Sequence, residues 1–288
     1  MPPTTLAPLT PDRAALDKEA RLTDWFRAQG SALIGFSGGV DSAYLACVAL
    51  DALGAERVLA VIGRSASYPE AQWTRAREVA DRFGVPVLEV DTDELNDARY
   101  AANPTDRCYF CKRELWSRLA PLAAERGLAV IVDGTNADDL TDHRPGGRAA
   151  RERGVASPLA TIGFSKDQIR ALSAARGIPT WDQPSSPCLS SRLPYGTAVT
   201  PLRLRTVESA EAALRALGIA GNLRVRFFGE TARVELNPGL VTYWSAGDAR
   251  LQLDAAVRAA GFEQVEVDPR GFRSGALNVL AGITTGEA

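Results

Sequence analysis

The chain has 288 residues, of which 45% are apolar and 24% charged, with a formal charge of −2. That balance belongs to an ordinary globular protein and excludes a disordered or collagen-like polypeptide; it also gives no global attraction to nucleic acid. There is no run of about 18 apolar residues, no basic segment leading into an apolar one near the start, and too few cysteines, four, for a disulfide scaffold, so a cytoplasmic protein without membrane contact is expected.

By the usual size prior the length accommodates a domain of about 150 to 190 residues plus a smaller one. A Pro-rich opening, taken through residue 18, is expected to be flexible. The apolar run at 31–36 (SALIGF) reads as a strand, followed by glycines and a helix over 43–53 that ends at Gly54. A second strand is expected at 57–62, a helix at 69–83 with Gly84 beyond it, a third strand at 85–90, a helix at 112–126 and a fourth strand at 128–132. Strands alternating with helices of this length predict an α/β fold, a doubly wound parallel sheet, over 1–195.

Beyond Pro194 the texture changes. A helix at 201–217, strands at 223–228 and 232–236 around Gly229-Glu230, a helix at 248–260 and a strand at 264–268 predict a smaller α+β domain over 196–288, opening on a hairpin.

The most informative loop is Ser37-Gly38-Gly39-Val40-Asp41-Ser42, directly after the first strand. Glycines let backbone N–H groups approach a ligand, the serines add hydroxyl donors, and the helix N-terminus is electropositive, a combination suited to phosphate. Asp41 would repel bare phosphate, so either Mg²⁺ lies nearby or the carboxylate orients the loop internally. Neither GxxxxGK[ST] nor GxGxxG is present, which excludes the kinase-type P-loop and the dinucleotide fingerprint. The competing reading, an ordinary serine-capped glycine turn, is outweighed by the strand–loop–helix context.

Cys108 and Cys111 stand at i and i+3 at the start of a helix, on one face and in a dipole that favours thiolate. Cys188 follows in PSSPCLSSR, with Arg192 placed to bind an anion or to lower the thiol pKa. Three soft sulfur ligands suit an iron–sulfur cluster or zinc, against the alternative of structural thiols. Cys47, within an apolar helical run, reads as core. Arg224 and Arg226 alternate along one strand and therefore share a face. Asp138 and Asp139 lie just past the fourth strand, where doubly wound sheets bind ligands. The sole histidine, His143, reads as a polar loop residue, Trp116 as packing, and Trp181 as packing or a cleft wall.

SGGVDS resembles the signature of PP-loop ATP pyrophosphatases. Together with SxSYP at 65–69, RCYFCK at 107–112, DGTNADD at 133–139 and PCLSSRLPYG at 187–196, it makes nearly the whole chain resemble the LarE-type sulfur transferases. The resemblance implies adenylylation of a carboxylate of pyridinium-3,5-biscarboxylic acid mononucleotide and its conversion to a thiocarboxylate, towards a nickel-pincer cofactor. In one branch of that family the cysteine matching Cys188 is sacrificed. In another, three cysteines hold a [4Fe-4S] cluster that carries the sulfur, and Cys108, Cys111 and Cys188 match that branch.

By the same carry-over, ATP lies on Ser37, Gly38, Gly39, Asp41 and Ser42, Lys112 stabilises charge, and Arg224 and Arg226 clamp the substrate phosphate. Asp138 and Asp139 hold Mg²⁺ or ribose, with Asp41, Glu211 and Glu235 as further metal or substrate candidates. Each of these charged residues outside the loop and cysteine motifs is equally compatible with a solvated surface position. The implied partners are a small-molecule nucleotide and a sulfide or persulfide donor, in a homo-oligomer with the hexamer as candidate assembly. The alternative within the superfamily is a tRNA thiolation enzyme, against which the acidic pI of about 5.7 counts.

Overall fold

The computed structural model describes residues 9–141 and 145–283; His143 lies outside them. The chain opens with helix α1 (Arg13–Gln29), whose N-cap Asp12 accepts from the Ala15 amide at 2.7 Å. The expected flexible opening therefore gives way to helix well before residue 18. Strand β1 (Ala32–Gly35), helix α2 (Val40–Leu53), strand β2 (Val58–Arg64), helix α3 (Glu70–Phe83) and strand β3 (Val87–Asp91) follow. A short helix α4 (Ala98–Ala101) then precedes α5 (Arg107–Glu125), strand β4 (Val130–Val132) and helices α6 (Gly146–Glu152), α7 (Pro158–Ile162) and α8 (Lys166–Ala175).

The first four strands form one parallel sheet in the order β3-β2-β1-β4. Alternation along the strands sends their side chains to two separate cores. Ala32, Ile34, Ala60 and Ile62 join α1, α2, α3 and α8 on one face. Leu33 and Val61 join Trp116 and Leu119 of α5 and Ala149 and Ala150 of α6 on the other. Both faces are covered by helices, as a doubly wound sheet requires.

After Thr200 come α9 (Pro201–Ala216), strands β5 (Leu223–Phe228) and β6 (Thr231–Leu236), α10 (Pro238–Trp244), α11 (Gly247–Ala259), β7 (Gln264–Val267) and α12 (Ala276–Leu280). The β5–β6 pair is the expected antiparallel hairpin, and β7 adds parallel to β6. Helix α9 buries Leu204, Val207, Ala210 and Leu214, and α11 buries Leu253 and Val257.

The chain divides into two compact units. One runs to Glu94 and resumes over Asp106–Ser186, and the other joins Leu95–Thr105 to the chain from Pro187 onward. The segment Leu95–Thr105 thus leaves the sheet unit to build on the C-terminal one, a long-range association that no local pattern signals. Among the described residues no helix is long and apolar enough to cross a membrane.

Candidate active site

The loop at 37–42 connects β1 to α2 at the carboxyl edge of the parallel sheet, where open α/β sheets place ligands. Gly39 is the N-cap of α2, and no side chain caps the helix there. The first-turn amides and the positive end of the helix dipole therefore face the position a phosphate would take. Ser42 Oγ accepts from the Ser37 amide at 3.2 Å and donates to the Gly39 carbonyl at 3.1 Å, closing the loop on itself. Gly38 adopts φ +70°, and a Cβ there would come within 2.5 Å of Ala76 Cβ on α3. Only glycine meets both demands, so the loop can lie directly against α3.

Neighbouring segments hold the loop from outside. The Ser37 carbonyl accepts Tyr68 Oη at 2.9 Å and Gln72 Nε2 at 2.8 Å. Gly134, after β4, packs so closely that a Cβ would sit 3.0 Å from the Ser42 amide nitrogen. Asn136, almost fully buried, donates from Nδ2 to Asp41 Oδ1 at 3.2 Å, and its Oδ1 accepts the amides of Asp138 at 3.0 Å and Asp139 at 3.2 Å.

The other Asp41 oxygen is ion-paired with Lys166. Both Asp41 oxygens are thus engaged by side chains of the protein, Asn136 and Lys166. Lys166, which sequence reasoning missed, occupies the first position of α8, next to a Ser165–Gln168 capping box. A cation in the first turn opposes the helix dipole. That conflict, legible from S-K-D-Q, signals an anionic partner. Asp138 Oδ2 accepts the Lys166 amide at 2.7 Å, so Asp41, Asp138, Asp139, Asn136 and Lys166 form one polar cluster around the loop.

Cys108 and Cys111 lie in the first turns of α5, the former exposed and the latter half-buried, with Lys112 exposed beside them. Lys112 reaches over the Trp116 ring at 5.4 Å, and Trp116 is packing, as expected. Cys47 is buried, and burial pushes its thiol up to about 12, which suits an inert core residue.

The remaining candidates belong to the C-terminal unit. Cys188, half-buried, precedes a 3₁₀ turn at Leu189–Arg192. Arg192, only 2% exposed, makes a bidentate pair with Glu211 at 2.9 and 3.0 Å and donates to the carbonyls of Pro187 at 2.6 Å and Cys188 at 3.2 Å. Its guanidinium is thus occupied in fixing the main chain at Cys188. Glu211 also accepts the Val225 amide at 3.0 Å. Arg226 pairs with Glu235 at 2.7 Å and donates to the Ser191 carbonyl at 3.0 Å, all three groups lying in or beside the hairpin. Arg224 is buried; burial, and after it the like charge of Arg192, bring its pKa down to about 10. Arg192, Glu211, Arg226 and Glu235 are linked through ion pairs and the 188–192 turn, while Cys108, Cys111 and Lys112 lie on the other unit. Among the described residues no group of three or more His, Cys, Asp or Glu side chains is gathered to hold a metal ion.

A strand, a serine–glycine loop and an uncapped helix start at the carboxyl edge of a parallel sheet define an ATP-dependent enzyme of the PP-loop class. A family model described as NAD synthase matches residues 22–119. The chain is 41% identical over 261 residues to an uncharacterized protein of Synechocystis sp., covering 91% of this chain and 97% of that one. It is 34% identical, over 91% of its length and 94% of the relative's, to the pyridinium-3,5-bisthiocarboxylic acid mononucleotide synthase of Lactiplantibacillus plantarum. An uncharacterized protein of Methanocaldococcus jannaschii matches at 27% over 72% of this chain and 78% of its own. The chain belongs to the LarE-type family of PP-loop enzymes.

Proposed function

We propose that this protein is an ATP-dependent sulfur transferase that converts a carboxylate of pyridinium-3,5-biscarboxylic acid mononucleotide to a thiocarboxylate, a step towards a nickel-pincer cofactor. The observation that carries the reading is the 37–42 loop, whose amides and hydroxyls suit a departing pyrophosphate, in a chain aligned over 91% of its length with a synthase of the bisthiocarboxylic acid product.

Magnesium arrives as Mg²⁺-ATP. No protein cage for it is gathered among the described residues, and Mg²⁺ is ordinarily held by phosphate oxygens and water with one or two carboxylates, here Asp139. The loop amides hold the β- and γ-phosphates while the substrate carboxylate oxygen attacks the α-phosphorus. The P–O bond to pyrophosphate breaks, leaving an acyl-adenylate. A sulfur nucleophile then forms the C–S bond at the acyl carbon, and AMP leaves with the electron pair of the broken C–O bond. Lys166, poised on Asp41, offsets charge that builds at the loop, and Arg224 and Arg226 supply positive charge for the substrate phosphate.

Cys108, Cys111 and Cys188 supply the soft thiolates that a [4Fe-4S] cluster uses, and such a cluster, when bound, would deliver sulfide. The support is the softness of the three thiolates alone: Cys188 belongs to one unit and Cys108 and Cys111 to the other, and among the described residues no group of three such ligands is gathered. In this reading the protein works in the cytoplasm as a homo-oligomer and is recharged by a sulfide or persulfide donor. Anaerobic iron and acid-labile sulfide analysis tests the carrier: iron-free protein whose Cys188 loses its sulfur during turnover replaces the cluster with sacrificial delivery.

The test of function is incubation with Mg²⁺-ATP and the biscarboxylate mononucleotide. AMP, pyrophosphate and thiocarboxylate are expected, and Cys188→Ala should keep pyrophosphate release while losing thiocarboxylate. Cleavage of ATP to ADP and phosphate overturns the reading.

A further inference from the structure

The segment Leu95–Thr105 belongs with the unit that carries Cys188, although about ninety residues of chain separate them. Its residues fasten on the turn that follows the cysteine. Tyr100, 1% exposed, shares a 2.6 Å hydrogen bond between its hydroxyl and Ser190 Oγ, and Ser190 is fully buried. Asn103, also fully buried, donates from Nδ2 to the carbonyls of Pro194 at 2.8 Å and Thr197 at 2.9 Å, with that of Leu193 at 3.4 Å. The Asn103 carbonyl accepts the Gly196 amide at 2.9 Å, and the Ala101 carbonyl accepts the Val199 amide at 2.8 Å.

Asn103 is the one non-glycine residue with positive φ among those described, at 55°. Asparagine tolerates the left-handed region better than most side chains, but the conformation persists only where surroundings over-determine it. Here they do, because both its side-chain amide and its main-chain carbonyl are consumed by the 193–197 loop. The Cys188 carbonyl is held from the other side by the Ser191 amide at 3.0 Å and by Arg192. The turn is therefore clamped along its length while the thiol stays half-buried.

We propose that Tyr100 and Asn103 are positioning residues for Cys188, fixing the turn from which its sulfur is presented to the activated acyl group. The sulfur part of this proposal rests on the function assigned above, whereas the positioning part is testable without turnover. Both residues belong to the unit that carries Cys188 and not to the unit that carries the nucleotide loop, so removing their bonds should leave adenylylation intact and slow only the step that uses Cys188.

The experiment uses the full chain with Tyr100→Phe, which deletes one hydroxyl, and Asn103→Gly, which keeps access to positive φ while deleting the amide. Iodoacetamide labelling of each cysteine is followed by mass spectrometry, as purified and after iron chelation. Cys188 is expected to label about fivefold faster in Tyr100→Phe, the ratio that loss of one net hydrogen bond produces, and faster still in Asn103→Gly, which loses the bonds to Pro194 and Thr197, with Cys108 unchanged. Pyrophosphate release should stay at the wild-type rate, while kcat for thiocarboxylate falls about fivefold in Tyr100→Phe and further in Asn103→Gly, at unchanged KM for ATP. Unchanged Cys188 labelling, or an equal loss of both half-reactions with a lowered melting temperature, overturns positioning in favour of a scaffold role. Should Asn103→Gly fail to fold, Tyr100→Phe decides alone. If the wild type yields no thiocarboxylate while Cys188 labelling still rises in the variants, the positioning holds and the sulfur-transfer reading is what fails.

Discussion

The two units assemble polar groups in opposite ways. In the sheet unit the loop at 37–42 offers backbone amides at a helix start, and the charged pair beside it is only half-buried, with Asp41 and Lys166 side chains 21% and 32% exposed. In the C-terminal unit the charges are internal: Arg192, Arg224, Arg226 and Glu235 are each less than a tenth exposed. Charges near water change partners cheaply, whereas buried ones stay where excellent geometry repays their desolvation. The first arrangement suits a ligand such as ATP that enters, reacts and leaves in pieces. The second suits a fixed framework around Cys188 and a positive environment that does not depend on substrate.

The widest gap between the units should appear on removing one carboxylate from each. Glu211→Ala strands the Arg192 guanidinium in the interior and is expected to cost about 3 to 5 kcal/mol. Asp41→Asn, at a half-exposed pair, should cost less than about 1 kcal/mol of stability. Denaturant unfolding of both variants measures the difference, and equal losses would show that the contrast between the units has no energetic content.

The same contrast explains what the sequence discloses. The parallel sheet was readable because its strands are short apolar runs divided by glycines, and the hairpin because Gly229-Glu230 sits between two alternating strands. The helix α1 was not, since it buries only Ala15, Leu22 and Phe26 among many charged residues and follows a Pro-rich start. The 37–42 loop carries its chemistry in glycines and serines adjacent in the chain, so it could be found by local pattern. Lys166 reaches Asp41 across 125 positions, and Tyr100 reaches Ser190 across 90. Such contacts arise from topology, which periodicity does not encode. Arg192 was legible as an anion binder, but its anion is the protein's own Glu211.

An intermediate effect is expected at Lys166. Lys166→Ala leaves the Asp41 carboxylate facing an incoming triphosphate, so KM for ATP should rise about tenfold, in keeping with the loss of one charge-assisted contact, while stability changes little. Adding Asp41→Asn to that variant removes the repulsion and should recover part of the affinity; a double-mutant cycle on KM reports the coupling. Strict additivity would mean that the pair does not act as a unit.

The smallest effect sharpens the comparison through pH. Asp268, nearly buried at the end of β7, accepts the Arg270 amide at 2.9 Å and pairs with Arg270 at 3.4 Å and Arg273 at 3.5 Å. Burial alone would push this carboxyl up, but the hydrogen bonds and charge of Arg270, with Arg273 behind them, outweigh it and hold the pKa below the ordinary carboxylate value. A folded-state pKa lower than the unfolded one contributes stability that is complete above the unfolded value, about 4, and is lost as pH falls through the folded value. Asp268→Asn should therefore cost about 1 kcal/mol at pH 7. The gap between variant and wild type should begin to narrow as pH drops below about 4 and close once pH passes the folded value, where the wild type loses the same charge. Thermal unfolding in steps from pH 7 down to about pH 2 reads this directly. A gap that persists at low pH would assign the loss to altered packing of the 268–273 turn instead of to the carboxylate's charge.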